Sequence, residues 1–442
     1  MTRATLLRRF LWGGVLITLP LACLLRNPLM TQWRAAATPL LCVLATCALV
    51  WMRMPRRQSE PRMGQHMALP VLWISVLFIV AAQQGQFQWR KNQVLNSSTA
   101  NAQELGSHII IGYSHAEEVK SLVSQGLVGG IFIGTNTMKG KTAEAIASEV
   151  AELQALRLKT GLGPLIVSTD QEGGIVARMS PPLSPTPPLA DIIAGAPPQD
   201  IEGLAFDYGQ SHGRGLSTLG VNVNFAPLAD LSVPRAHSRL DFHSLIAQRA
   251  IDANPHRVSP AVIGYAHGLE AHGVHATLKH FPGLGHVSAD THLFRANLSS
   301  SQNTLEKSDW IPFREGLKST QSLLMVGHAT LNAVDADNPA SLSAKVVQGI
   351  VRNSWGHNGV LVTDDMAMAP VVRHGMCAAG VDAINAGIDL LLVSYDTDQY
   401  YTIMHCLMQA KANGRLQEKQ LRVSSRRLHD AFGFALTSHS GG

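Results

Sequence analysis

The feature that most constrains this chain is where charge is missing. Residues 10–25, 35–52 and 63–89 carry no Asp, Glu, Lys or Arg, and the first two of these stretches are 16 and 18 residues long. A helix needs about 20 apolar residues to cross a bilayer, and arginines at its ends extend its reach by snorkelling. Bounded by Arg9, Arg26, Arg34, Arg53, Arg62 and Arg90, the three stretches predict three transmembrane helices within residues 1–91. A cleaved signal peptide would explain the first stretch and leave the other two without a purpose.

Residues 1–91 hold 11 Lys and Arg against one acidic residue, Glu60, a net charge of +10. The remainder holds 25 basic and 30 acidic residues, or −5. The overall +5 therefore belongs to the N-terminal segment, and the rest of the chain offers no compositional basis for binding nucleic acid. Arg3, Arg8 and Arg9 precede the first span and Arg53, Arg56, Arg57 and Arg62 separate the second from the third, whereas the first loop has only Arg26 and Arg34. By the positive-inside rule the N-terminus and second loop are cytoplasmic. Everything after about Trp89 is then expected outside a cell membrane that the chain crosses several times.

The five cysteines are too few and scattered for a disulfide scaffold and show no zinc-like spacing, which leaves open whether Cys377 and Cys406 pair. The chain divides into a membrane anchor over 1–91, a polar linker over 92–104 and one large domain over 105–442. In that domain short apolar runs alternate with helix-like stretches. Eight candidate strands stand out: 108–111, 130–133, 165–168, 221–226, 276–279, 323–326, 360–363 and 390–393. Eight βα units in series predict an α/β fold, a TIM (β/α)8 barrel preceded by the three membrane helices.

A barrel of this kind places chemistry at the C-terminal ends of its strands. Polar residues gather there: Asp170, Gln171 and Glu172 after the third strand, Lys279 and His280 at the end of the fifth, His328 after the sixth, Asp364 and Asp365 at the end of the seventh. A doubly wound sheet is the rival fold, but no phosphate-type glycine fingerprint follows the first strand. Five histidines between His272 and His292 lack the spacing of a metal site, and neither metal nor cofactor is expected.

Three stretches together resemble glycoside hydrolase family 3: Lys279-His280-Phe281-Pro282-Gly283 continuing to Asp290-Thr291-His292, Asp170-Gln171-Glu172-Gly173-Gly174 continuing to Arg178, and Val362-Thr363-Asp364-Asp365-Met366. The Asp-x-His in the loop after Lys279-His280 is similar to that of the NagZ-like β-N-acetylhexosaminidases. The resemblance runs from about Leu105 to Ala435 and includes Asn136, Asn224-Phe225-Ala226-Pro227 and Ala386-Gly387-Ile388-Asp389.

The resemblance implies retaining hydrolysis of terminal β-linked GlcNAc, from cell-wall fragments or related glycans, through a covalent glycosyl-enzyme. It makes Asp364 the nucleophile, while Asp365, the next residue on the strand, points to the opposite face. It gives the proton transfers to His292, whose imidazole titrates near neutrality, oriented by Asp290. It assigns Asp170, Arg178, Arg249, Lys279 and His280 to the sugar. The chain departs from the family at Leu284 and Ile175, where His and Arg are usual, and at Ala250-Ile251 after Arg249. These changes bear on subsites and loop shape. Two other readings use the same residues: a membrane-tethered glycan-binding sensor with a degenerate hydrolase domain, and a β-glucosidase of the same family. A binder without turnover would have little use for Asp364 or His292, and both are present.

Overall fold

The structure, a computed structural model, describes residues 3–54, 68–232, 245–287 and 296–436. The chain forms two compact units, Met1–Gln93 and Val94–Gly442.

In the first unit, α1 spans Arg3–Leu24, α2 Arg34–Arg53 and α3 Ala68–Leu95. Leu11, Val15, Leu41, Ala45, Trp73 and Val76 pack into a shared core. Two of these helices, α2 and α3, are long and apolar enough to cross a membrane; the apolar part of α1 covers only Arg9–Leu24 and falls short. The expectation of three spans is thus matched at two of them. Of the residues read as a linker, Asn92–Leu95 complete α3, and most of the helix α4 (Ala100–Gly106) follows after a four-residue break. Thr99 caps α4, its hydroxyl accepting the Ala102 N–H at 3.2 Å.

The second unit is built on eight parallel strands: β1 (Ile109–Gly112), β2 (Gly130–Phe132), β3 (Ile166–Thr169), β4 (Val223–Asn224), β5 (Thr277–Phe281), β6 (Leu323–Val326), β7 (Leu361–Asp365) and β8 (Leu390–Val393). Each falls on one of the eight apolar runs. Seven neighbouring pairs form a continuous ladder from β4 through β1 and β8 to β5. Single bridges, Val223 to His275 and Leu228 to Lys279, join its two ends, so the sheet is a nearly closed barrel. Successive strand side chains alternate between the barrel axis and the surrounding helices. Ile110, Phe132, Ile166, Val223, Phe225, Leu323, Met325, Val362, Leu390 and Leu392 form one core, capped by Leu428 and Phe434 from the last helix (Glu418–Phe432) and the residues after it.

Beneath this core a buried polar hub gathers the strand ends. The Asp389 carboxylate accepts from Arg352 Nη2 and Ser424 Oγ at 2.7 Å, Leu361 N at 2.8 Å and Arg427 Nη1 at 3.2 Å, and its carbonyl oxygen lies 2.8 Å from His108 Nδ1. Every acceptor of this wholly buried carboxylate is thereby used. Elsewhere Cys377 and Cys406 form a disulfide with a Cα–Cα separation of 5.3 Å, joining the helices Met376–Ala386 and Asp398–Ala412.

Candidate active site

Strand alternation places the candidate residues. Ile166 faces the barrel core, and two steps of two along the chain lead to Asp170; Val362 faces it, and the next in phase is Asp364. Lys279, in the middle of β5, is joined to Asp170 by an ion pair of 2.6 Å. The same ammonium lies 2.6 Å from Glu172 Oε1. Arg249, in the short helix Ile246–Arg249, then grips Glu172 with two donors, Nη2 to Oε1 at 2.6 Å and Nε to Oε2 at 3.0 Å. Two cations and two carboxylates thus form a chain of pairs whose charges cancel.

Side-chain exposure distinguishes the members: 3% for Lys279, 8% for Glu172 and 10% for Arg249, but 23% for Asp170. The inner three hold the fourth, which presents its carboxylate to open space. Burial works to raise the Glu172 carboxyl, yet the charges of Arg249 and Lys279 prevail and hold it at about 2. A shallow cleft adjoins the cluster, lined by Glu172, Arg249, Pro227, Leu228, Ile251 and Ile175 among others.

His280 is fixed by a residue that sequence reasoning missed. The fully buried Asp230 accepts His280 Nδ1 at 2.7 Å and His280 N at 3.0 Å on Oδ2, and Leu284 N at 2.6 Å on Oδ1. The carboxylate can only accept, so His280 Nδ1 carries a proton, and the same group anchors the backbone from His280 to Leu284. Its only signal in the sequence is a position three residues past the Asn224–Pro227 stretch.

On β7, Asp364 and Asp365 have separate surroundings. The Asp365 carboxylate accepts the backbone N–H groups of Ala367, Ser394 and Tyr395 at 2.7, 2.8 and 2.8 Å, together with the Ser394 hydroxyl. It ties β7 to the end of β8. Burial raises its pKa, against the pull of those donors. Asp364 Oδ1 accepts the Asp365 N–H at 2.8 Å. Buried His328 lies behind both, with Nε2 3.0 Å from the Asp365 carbonyl and Nδ1 2.7 Å from Ser341 Oγ. A carbonyl can only accept, so Nε2 carries the proton and Nδ1 accepts from the hydroxyl. Burial lowers the His328 pKa even with Asp364 and Asp365 nearby, and the ring stays neutral.

Arg178 is exposed, at the far side of a hairpin in which Gln171–Gly173 pairs with Val176–Ala177. Its backbone N–H donates to the Asp170 carbonyl at 3.0 Å, and its guanidinium lies 3.4 Å from Thr135 Oγ1. The hairpin turn needs Gly173 and Gly174: both have positive φ, and a Cβ at Gly173 would sit 1.9 Å from the Tyr208 hydroxyl. Of the residues expected here, the structure thus brings together Asp170, Lys279 and Arg249, with Glu172 as the clasp between them. His280, Arg178 and Asp364 are each placed by the contacts given above. Asp290 and His292 lie outside the described residues.

Comparison with known proteins gives a consistent result. The profile of the "Glycosyl hydrolase family 3 N terminal domain" matches residues 97–431. A curated relative from Xylella fastidiosa named "Beta-hexosaminidase" is 32% identical over 283 residues, covering 63% of this chain and 80% of its own. A glycoside hydrolase family 3 β-N-acetylglucosaminidase structure from a Paenibacillus species superposes with a TM-score of 0.67 at 28% identity, over 77% of this chain and 65% of that one. A β-N-acetylhexosaminidase structure from Beutenbergia cavernae gives 0.68 at 26% identity, over 76% and 99%. With a profile match spanning the entire barrel, the chain belongs to glycosyl hydrolase family 3 and is a glycoside hydrolase.

Proposed function

We propose that the protein is a retaining β-N-acetylglucosaminidase, tethered to the membrane, that removes terminal β-linked GlcNAc from cell-wall fragments or related glycans. The observation that carries this reading is the neutral cluster of Asp170, Glu172, Lys279 and Arg249, set at the same end of the barrel as Asp364. A sugar ring is uncharged but dense in hydroxyls. A carboxylate held by buried cations accepts from neighbouring hydroxyls without bringing net charge, which suits such a ligand. The similarity to proteins named β-hexosaminidase supports an N-acetylated sugar.

In the first step an Asp364 carboxylate oxygen attacks the anomeric carbon, the bond from that carbon to the aglycone oxygen breaks, and His292 gives the leaving oxygen its proton. In the second, water attacks the same carbon, His292 takes a proton from it, and Asp364 is released. Asp290 orients the imidazole in both steps. Lys279, Arg178, Arg249 and His280 complete the grip around Asp170.

The full chain in detergent should cleave an aryl β-GlcNAc at least about 100-fold more efficiently than the aryl β-glucoside, with no requirement for phosphate. Equal efficiencies, or release of a sugar phosphate, would overturn the assignment.

The anchor reading extends to three spans, with the barrel on the extracytoplasmic side. Among the described residues, exposed large apolar side chains cluster up to Trp89, α1 included (Phe10, Leu16, Ile17, Leu21, Leu24); beyond it there are five, Leu158, Ile175, Leu204, Tyr395 and Leu436. An exterior of that kind suits lipid. The Cys377–Cys406 disulfide suits an oxidising compartment. A periplasm-active reporter fused after Lys91 should be active and one fused near Pro61 inactive. The reverse pattern would sink the export claim.

A further inference from the structure

Behind the cluster lies a buried polar chain that the mechanism does not use. It acts on Gln171, the residue between Asp170 and Glu172. The Gln171 N–H donates to Asn224 Oδ1 at 2.9 Å, and its carbonyl accepts Asn224 Nδ2 at 2.8 Å and the Tyr265 hydroxyl at 3.0 Å. Asn224 Nδ2 also donates to Tyr265 at 3.0 Å. Next in line is His212, with Nδ1 2.8 Å from the Tyr265 hydroxyl and Nε2 2.8 Å from Thr186 Oγ1.

Proton counting fixes the direction of this chain. The tyrosine has one hydrogen, and the Gln171 carbonyl at 3.0 Å can only accept it. Given to His212 instead, that hydrogen would leave two oxygen lone pairs opposed in a dry site. So Tyr265 donates to Gln171, His212 Nδ1–H donates to Tyr265, and Nε2 accepts from Thr186. Burial pushes the His212 pKa down to about 4, so the ring remains neutral and keeps the one tautomer that the chain requires. The Tyr208 hydroxyl, in contact with Thr186 Oγ1 and the Glu172 and Pro187 carbonyls, braces the same segment from its other side.

We infer that His212 is a positioning residue for sugar binding: through Tyr265 it holds the Gln171 peptide, and with it the spacing of the two carboxylates that meet on Lys279. The inference rests on the reading of that cluster as the sugar grip. His212 is 3% exposed, so it acts through the chain of bonds. A grip that serves ground and transition states alike shows its loss in KM more than in kcat.

The test is steady-state kinetics on an aryl β-GlcNAc with the full-length protein and His212→Ala, His212→Asn, Tyr265→Phe and Lys279→Ala variants. His212→Ala should raise KM roughly 10- to 100-fold while kcat, per folded active site, falls less than about threefold. His212→Asn, whose amide N–H can take the place of Nδ1–H, should restore KM to within about threefold of the parent. Tyr265→Phe removes only the hydroxyl and should raise KM about tenfold, which decides the matter if the alanine variant fails to fold. A residue that merely supports the fold would lower the yield of active protein and leave KM unchanged. That result for His212 and Tyr265, with KM raised in Lys279→Ala, overturns the inference and spares the sugar-grip reading. An unchanged KM in Lys279→Ala as well overturns both.

Discussion

Asp364→Ala is expected to lower turnover of every β-GlcNAc substrate by a factor on the order of 10⁵ or more, whatever the leaving group. Without that carboxylate no glycosyl-enzyme forms, and a better leaving group has nothing to leave in favour of. His292→Ala should behave differently. A phenolate of low pKa departs without a donated proton, so its release is partly spared, while cleavage of a natural glycan, whose alkoxide must be protonated, collapses. Hydrolysis of the intermediate then becomes limiting because water lacks its base. Azide attacks without a base, and should restore turnover as the glycosyl azide accumulates. Asp290→Ala should show a milder form of the same pattern. Equal losses for Asp364 and His292, independent of leaving group and without azide rescue, would refute the roles while leaving the family membership untouched.

Glu172→Ala should have the largest effect on stability. It strips Arg249 of its bidentate partner and leaves Lys279 with Asp170, in a setting where both cations are largely buried. Breaking a buried pair on one side costs about 3–5 kcal/mol. For a unit of this size that corresponds to a fall in Tm of roughly 4–7 °C, readable by calorimetry at neutral pH. The pH dependence gives a second check. The Glu172 carboxyl is lowered from 4.5 to about 2 on folding, so its stabilisation is complete above 4.5 and disappears as the pH falls through 2. The stability gap between the parent and Glu172→Gln should therefore close across that window. A gap that stays constant there would mean that Glu172 is not held as a charged partner.

What could be read in the sequence follows from the range of each interaction. All eight strands were legible because a strand buried on both faces is a short apolar run between turn residues, a purely local signature. β4 is shorter than its apolar run, since Asn224 spends its side chain on Gln171 and the link to β5 rests on single bridges. Asp170, Lys279 and Asp364 could be found because strand ends are where the barrel collects chemistry. Asp230 could not be found that way: its meaning comes from His280, 50 residues further on. Glu172 stood in view beside Asp170, but nothing in its neighbourhood shows that Arg249, 77 residues away, would close on it. The His212 chain is more remote still from any linear pattern, since it joins two helices to a loop and a hairpin strand across separations of 26, 53 and 94 residues. For α1, uncharged length alone suggested a span. Its apolar portion is too short for that measure to decide.

The Asp389 hub also governs the order in which the molecule can be completed. His108, just before the first strand, bonds to the Asp389 carbonyl 281 residues later, and Arg427 reaches the same aspartate from the last helix. A chain made from its N-terminus thus carries an open sheet, with unpaired strand edges and bare apolar faces, through nearly the whole of its synthesis. It can close only once β8 has been made to pair with β1 and β7, and the last helix then joins the Asp389 hub. Loss of that helix would leave a nascent chain that is never finished, for chaperones and proteases to dispose of, however intact the residues that meet the sugar.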